Sequence, residues 1–546
     1  MKLPKYFFIL LLLLITLVPL GDLSHPGLPI THDGQDHVAR IANFYQNLRE
    51  GNIIPRWAGN LNWGYGHPIL MFLYPLSSYT ASLFHFFGFS LVDSTKIVFA
   101  VAFVASGLTM YLWIRSIADE KAAFLAGILY TIAPYRFVDL YVRGAIGEHV
   151  AFVFPPLILY FIVKLSKRIS YRYIALGSIS LAALILSHNA ISLLFLPIII
   201  LYAFYLIFAT KKKKLLAISY LLLAIIGFSL SAFFWIPAFF EGKYTLRDIV
   251  IAGEYASRFV RFDQLLYGKW DYGGSGNFTV QVGIAQWLGV ISSVVTGFIV
   301  KKRYVRIAIL SLLGMFTLSL FLMTEMSAPV WKVFTTLQKF QFPWRFLSVT
   351  VFATAVLGGL VVSSIKDNRL KTIFIIVVVA LALLQNKDYW YANGFLQKSE
   401  HFYSGIYDST TDTGESSPIW SVRFMEKRPK ASMEVISGST TIEKLSRISA
   451  RHEYIVNAKE ESRIRENTLY FPGWDVFVDG KKVAVEFQDQ RNRGLMTFFI
   501  DKGSHKVHIA FSETKLRLFA DIISLVSLVF LVALGILRRG AWQHFR

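Results

Sequence analysis

The sequence predicts a polytopic α-helical membrane protein with about twelve spans and a β-sandwich-like domain near its carboxy terminus. Three observations carry this. The 546 residues are 54% hydrophobic and only 17% charged, with a mean hydropathy of +0.49. Apolar stretches of roughly 15 to 22 residues recur along most of the chain. A late segment instead alternates polar and apolar residues with a period of two.

The first apolar stretch, Tyr6 to Leu20, follows Lys2 and Lys5. No small-x-small cleavage site comes after it, only Gly21-Asp22-Leu23-Ser24-His25-Pro26, so it reads as a signal anchor. The net charge of +21 would suggest nucleic acid in a soluble protein. Its location argues otherwise. Short basic patches (Lys2/Lys5, Arg115/Lys121, Lys164/Lys167/Arg168/Arg172, Lys211 to Lys214, Lys301/Lys302/Arg303/Arg306, Lys366/Arg369/Lys371 and Arg538/Arg539/Arg546) hold 22 cations against three acids, Asp119, Glu120 and Asp367. The positive-inside rule assigns these loops to the cytoplasm, and no nucleic-acid partner is expected. There is no cysteine, which excludes disulfides, thiol catalysis and Cys-type zinc sites.

Parity then orders the chain. With the amino terminus inside, the first helix delivers residue 21 outward. The run 150–163 descends to the basic loop 164–172, so 135–149 lies outside; 121–134 rises and 95–114 descends. Residues 21–94 are therefore all outside, and the apolar segment Ile69 to Phe89 is expected to be interfacial or re-entrant, packed on protein. Further spans are expected at 173–187, 191–209, 215–238, 283–300, 304–323, 345–364, 371–386 and 517–537, with both termini cytoplasmic. This divides the chain into a transmembrane domain, 1–386, an extracytoplasmic β-rich domain, 387–516, and a final helix with its tail, 517–546. The alternating runs "WDVFVDGKKVAVEF", with Asp479-Gly480 as a hairpin turn, "GLMTFFI" and "SHKVHIAF" supply the strands. The stretch Gly394 to Pro429 is polar and loop-like.

The unusual polar motifs all fall on the outer side. They are "THDGQDHVAR" (His32, Asp33, Asp36, His37, Arg40), "YVRGAIGEH" (Arg143, Glu148, His149), "SHN" (Ser187, His188, Asn189) and "QFPWRF" (Trp344, Arg345). Ionisable groups at membrane depth are expensive and usually line a cavity, so their convergence at one level marks a candidate site. No Gly-rich nucleotide cradle stands on the cytoplasmic side. A helix starting near Asp33 places Asp33, Asp36/His37 and Arg40 on one stripe and turns Val38, Ile41, Tyr45 and Leu48 away. Simpler structural readings stand beside this one: Asp33 as N-cap, Asp36 in a capping box and paired with Arg40, Arg143 paired with Glu148, His188 as a buried hydrogen-bonded residue, Arg345 snorkelling. His32, His37 and nearby acids could hold a divalent metal, Mg or Mn, but no HExxH-like spacing fixes one.

The stretches "HDGQDH…GNIIPRW…GYGHPILMFLYPLSSY", "APYRFVDLYVRGAIGEH", "SHN" and "QFPWRF" resemble the bacterial and archaeal membrane proteins with the 6-pyruvoyl-tetrahydropterin-synthase-related membrane domain. "YFPGWDVFVDGKKVAV…GLMTFFIDKGSHKVHIAFSETKLRLFADIISL" resembles the carboxy-terminal region of YfhO-like proteins, and both groups are similar to GT-C glycosyltransferases. The soluble synthase's zinc-binding histidine pattern is absent.

The GT-C resemblance implies transfer of a sugar from a polyprenyl-phosphate donor to a cell-envelope acceptor (glycan, glycolipid or protein) at the outer face of the plasma membrane. An acid of the first outer loop would be the base. Asp33 matches that position, with His37 and Asp36 beside it; Asp22 lies too close to the first helix. The departing phosphate needs fixed cations, for which Arg345, Arg143 and His188 are candidates. His32, Arg40, Glu148, His149, Asn189 and Trp344 complete the expected substrate-binding set, and Trp63, Tyr65 and Tyr141 could stack on sugar or prenyl groups. The Asp33-x-x-Asp36 spacing is wider than the paired acids of better-known GT-C enzymes. A transporter or flippase for lipid-linked precursors, or a glycan-binding envelope scaffold, are the alternative classes; the first predicts charges threading both halves of the bilayer.

Overall fold

The computed structural model describes residues 6–273 and 278–543, with side chains to 533. Lys2, Lys5 and Arg546 lie outside the described residues, as do the side chains of Arg538 and Arg539. Among the described residues, nine helices are long and apolar enough to cross a membrane, or ten if Glu120–Thr131 and Pro134–Arg143, bent by 49°, form one span. Two further expected spans, Tyr171–Ser187 and Ile284–Ile299, are apolar helices of 17 and 16 residues. At 1.5 Å per residue they are short for a hydrocarbon core of roughly 30 Å. The expected span 215–238 is two helices, Lys213–Leu230 and Ala232–Phe240, broken at Ser231.

Helix Leu347–Ser364 is the buried centre of the bundle. Its Gly359 lets it approach Ala122 O and Ala126 of helix Glu120–Thr131, where an added Cβ would sit 3.2 Å from each. Helix Glu120–Thr131 in turn meets Leu91–Ile117 through Gly127, whose Cβ would lie 3.1 Å from Gly107 O. Between apolar helices in lipid, where no hydrophobic gain drives association, such close approach of backbones supplies the contact energy. At one end of the bundle the basic loops interlock: Lys371 pairs with Asp119 (2.8 Å), Lys121 donates to Asn368 Oδ1 (2.7 Å), and Arg115 pairs with Glu120 (3.1 Å).

The opposite end carries everything else. The segment 69–89 is not one continuous helix: it forms helices Ile69–Phe72 and Leu76–Phe86, interrupted at Pro75, of 4 and 11 residues, each short for a bilayer span. Two short strands, β1 (Leu28–Pro29) and β2 (Phe395–Leu396), pair antiparallel and tie the first loop to the segment after helix Asn368–Asn386. The β-rich region holds a five-stranded and a three-stranded sheet. Its strands are β3 (Met433–Ser437), β4 (Thr440–Ile448), β5 (Arg451–Ala458), β6 (Ser462–Leu469), β7 (Trp474–Val478), β8 (Lys481–Val483), β9 (Leu495–Ile500) and β10 (Gly503–Phe511), in the orders β4-β5-β10-β7-β8 and β3-β6-β9. The β7–β8 hairpin turns at Asp479 and Gly480, both with positive φ (49° and 78°), as a two-residue primed turn requires.

This region seats on the first loop. The indoles of Trp57 and Trp474 meet edge to face at 5.4 Å, and Arg56, almost wholly buried, reaches Glu513 (2.7 Å) and Asp521 (2.6 Å) at the start of the last helix. The loop-like stretch 394–429 is more ordered than its composition suggests, because the first loop supplies its partners. Met425 N donates to Asn62 Oδ1 (3.0 Å) and Tyr407 N to Asn60 O (2.8 Å).

Candidate functional site

The first two polar motifs are joined through their backbones. The amides of His32 and Asp33 donate to Val142 O and Arg143 O, each at 2.9 Å. Gly144 makes this possible: it is left-handed (φ 66°), and a Cβ there would sit 2.4 Å from Thr31 Oγ1. Helix Gly34–Arg49 starts at that junction. Its first amide is satisfied by Thr31 Oγ1 (3.1 Å), so Asp33 occupies the N-cap position without making a side-chain cap. Asp33 is exposed, and no described residue donates to its carboxylate. The expected capping box is therefore corrected: threonine does the capping and both acids are released from it.

The Asp36–Arg40 pair is corrected as well. Arg40 turns to the strap 407–418, donating from Nε to Thr411 Oγ1 (3.0 Å) and from Nη2 to Thr411 O (2.6 Å). Asp36 accepts from Tyr407 Oη (3.1 Å) of the same strap. Burial raises the Asp36 pKa despite the nearby Arg40 charge. His37 is buried beside Arg40; burial first, then the Arg40, Arg143 and His188 charges, hold its pKa well below the usual value, so the ring is neutral. His37, Arg40, Tyr74, Ser77 and Ser78 line a cavity of about 20 Å³, room for a water molecule. His32 is exposed, its Nε2 3.2 Å from Tyr272 O.

Arg143 and Glu148 pair as expected (2.9 Å), but within a larger group. Arg143 Nη1 also meets Asp139 (2.5 Å), and Tyr135 donates to Glu148 Oε1 (2.5 Å). The guanidinium lies 4.4 Å from the centre of the Trp344 ring. Arg143 is thus bound by two buried carboxylates, whereas among the described residues Arg345 has no carboxylate within bonding distance: its Nη1 donates to Phe340 O (2.7 Å) and it stands 4.8 Å over Phe342. His188 caps its own helix, with Nδ1 3.3 Å from Ile191 N, and its ring packs on Tyr74 at 4.8 Å. Asn189 donates to Phe72 O (3.2 Å).

Four expected members, His149, Tyr141, Trp63 and Tyr65, are not brought to the group. His149 is buried in the bundle, stacked on Phe103 (5.8 Å) and edge-on to Phe99 (5.3 Å). Tyr141 is wholly buried and donates to Pro19 O (2.6 Å). Trp63 and Tyr65 face the strap and the β-sheets, their backbones bonded to Tyr407 O (2.9 Å) and Leu469 N (3.0 Å). Asp22 accepts from Ala392 N (2.8 Å), which leaves Asp33, among the described residues, as the open acid of the first loop. Sequence reasoning missed Tyr74, Tyr135, Asp139, Tyr407 and Thr411. The i, i+4 spacing of Asp139 and Arg143 was a readable signal for one of them. Among the described residues, no three His, Asp or Glu side chains converge to hold a metal ion.

The fold and the site define a polytopic membrane protein whose polar residues gather at one end of the bundle, under a β-rich cover. A family model described as a 6-pyruvoyl-tetrahydropterin synthase related domain, membrane protein, matches residues 70–391, and the chain belongs to that family. An uncharacterized protein of Lactococcus lactis subsp. cremoris is 23% identical over 279 residues, 49% of this chain and 45% of that one. Among solved structures, the chain is similar to the arabinofuranosyltransferase AftD from Mycobacteria (TM-score 0.46, 14% identity, 73% of this chain and 28% of that one). It is also similar to the Archaeoglobus fulgidus oligosaccharyltransferase tethered with an acceptor peptide (0.43, 14%, 72% and 56%). A third is ArnT from Cupriavidus metallidurans bound to undecaprenyl phosphate (0.31, 11%, 70% and 80%). The chain spans less than half of its Lactococcus relative and about 28% of AftD.

Proposed function

We propose that this chain is an inverting, GT-C-type glycosyltransferase of the plasma membrane, working at the extracytoplasmic face with both termini in the cytoplasm. It moves a sugar from a polyprenyl-phosphate donor to a cell-envelope acceptor. The observation that carries the reading is the state of Asp33. Among the described residues it is the one carboxylate of the joined motifs that takes no side-chain hydrogen bond, while Asp36, Asp139 and Glu148 are each engaged. An open carboxylate is what a general base needs.

In this mechanism the acceptor hydroxyl oxygen attacks the anomeric carbon as Asp33 takes its proton. The bond from that carbon to the phosphate oxygen breaks, and the lipid phosphate leaves with the electron pair. Arg345, which pairs with no carboxylate among the described residues, meets the developing charge; Arg143, held by Asp139 and Glu148, orients Trp344 beside it. Neutral His37 and Arg40 flank the acceptor side, with His32, Asn189 and His188 shaping the rim. The basic loops at the far end of the bundle support the assigned orientation.

The test is transfer from labelled polyprenyl-phosphate sugars to an envelope extract by purified protein, wild type against Asp33→Asn. Asp33→Asn should lose transfer at least a hundredfold. Equal transfer by both removes Asp33 from its role, and no transfer with any donor removes the activity.

A further inference from the structure

The linker 324–342 joins two spans, Arg303–Met323 and Pro343–Ser364, on the side that carries the site. It is a chain of short turns, Glu325–Ser327, Ala328–Val333 and Thr335–Gln338, too short to cross a bilayer. It exposes Met326 (79%), Val333 (74%) and Phe334 (61%), a large apolar display for a stretch that also carries Lys332 and Lys339.

Its height is fixed. Trp331, fully buried, donates from Nε1 to Leu322 O (3.0 Å) at the end of the first span and packs 6.4 Å from Phe346 at the start of the second. On its other face Trp331 stacks on Tyr255 at 5.3 Å. The peg therefore holds the linker level with the two span ends, where hydrocarbon gives way to headgroups, and Val333 and Phe334 follow it on the exposed side.

We infer that the linker 324–342 is a lipid-docked platform, its Met326, Val333 and Phe334 inserted into the phospholipid interface of the bilayer. The occupant of this apolar face is lipid because the face is continuous with the membrane-embedded surface at both ends. Short amphipathic segments hold their depth by apolar insertion with lysine heads left in water. The platform has a consequence for the site. Arg345 hangs from it through Phe340 O, and the Phe342 ring meets both Arg345 (4.8 Å) and Arg258 (5.8 Å). Docking sets these two guanidiniums at headgroup depth, where a phosphate carried by a lipid arrives.

The inference does not rest on the glycosyltransferase reading and is tested without activity. The chain has no cysteine, so single cysteines can be labelled with a nitroxide in the full-length protein in phosphatidylcholine/phosphatidylglycerol nanodiscs. Val333→Cys and Phe334→Cys are compared with Leu310→Cys, on the exposed face of a span, and Phe499→Cys, exposed on β9. Relaxation by oxygen and by a water-soluble nickel chelate is read for each. The platform predicts high oxygen and low nickel accessibility at 333 and 334, at a depth shallower than 310. Nickel accessibility like that of 499 overturns it in favour of water. Low accessibility to both reagents overturns it in favour of a covering protein. Each variant's elution and thermal transition, unchanged from the parent, certify the fold.

Discussion

Tyr74 packs against the bare backbone of Gly147: a Cβ on that glycine would stand 1.9 Å from Tyr74 Cε2. The contact seats the Tyr74 ring against His188 and brings the segment 69–89 onto the second polar motif. Gly147→Ala should therefore overpack this junction and cost about 1–3 kcal/mol. The measurement is the thermal transition of purified protein, and Tyr74→Ala in the same chain should restore much of the loss.

Arg143 stands between two buried carboxylates, so its removal leaves like charges facing each other. Arg143→Ala should destabilise by about 3–5 kcal/mol, as expected when one side of a buried pair is deleted. Tyr135→Phe keeps the ion pairs but removes the hydroxyl that donates to Glu148 Oε1 and accepts a longer bond from Arg143 Nη1 (3.3 Å), and should cost about 1.5–3 kcal/mol. An Arg143→Ala chain as stable as wild type would show the network to be idle.

Thr411 clamps Arg40 from a left-handed backbone conformation (φ 67°), which a β-branched residue adopts at a cost. Thr411→Ala loses the hydroxyl bond and keeps the strain. Thr411→Gly loses the same bond but relieves about 1 kcal/mol or more. The glycine variant should melt higher than the alanine variant; the reverse order would mean that the hydroxyl and the φ angle do not govern this strap.

His37 and His67 are both buried outside the spans, and burial holds each pKa below the ordinary 6.5. A depressed folded pKa means that the unfolded chain binds protons first as pH falls. The stabilisation is present above pH 6.5 and is lost progressively below it, by at most about 1.4 kcal/mol per pH unit for each histidine. Thermal transitions between pH 8 and pH 5 should fall on the acid side, and His37→Gln should flatten that fall. An unchanged slope would count against a buried neutral His37.

Much of the fold was legible. Apolar run length marked the helices, the reading of 69–89 as something other than a continuous span agrees with its two short helices, and Asp479-Gly480 marked its hairpin. The four polar motifs were legible as a group. Their internal wiring was not: Arg40 reaches Thr411, 371 residues away, rather than its helical neighbour Asp36. Local spacing offers Asp36 as the nearest partner, but the strap presents a fixed carbonyl and hydroxyl at better geometry.

The amino-acid order alone therefore determined which segments are apolar enough to enter a bilayer and which polar motifs share one end of the bundle. These follow from run length and alternation, which are properties of neighbours in sequence. Only the tertiary structure decided which acid stays open. Asp22, Asp36, Asp139 and Glu148 are each engaged by residues on other elements or on the far side of a turn, and among the described residues none engages Asp33. A hydrogen bond of about 3 Å depends on where the folded chain returns, and no periodicity encodes that return.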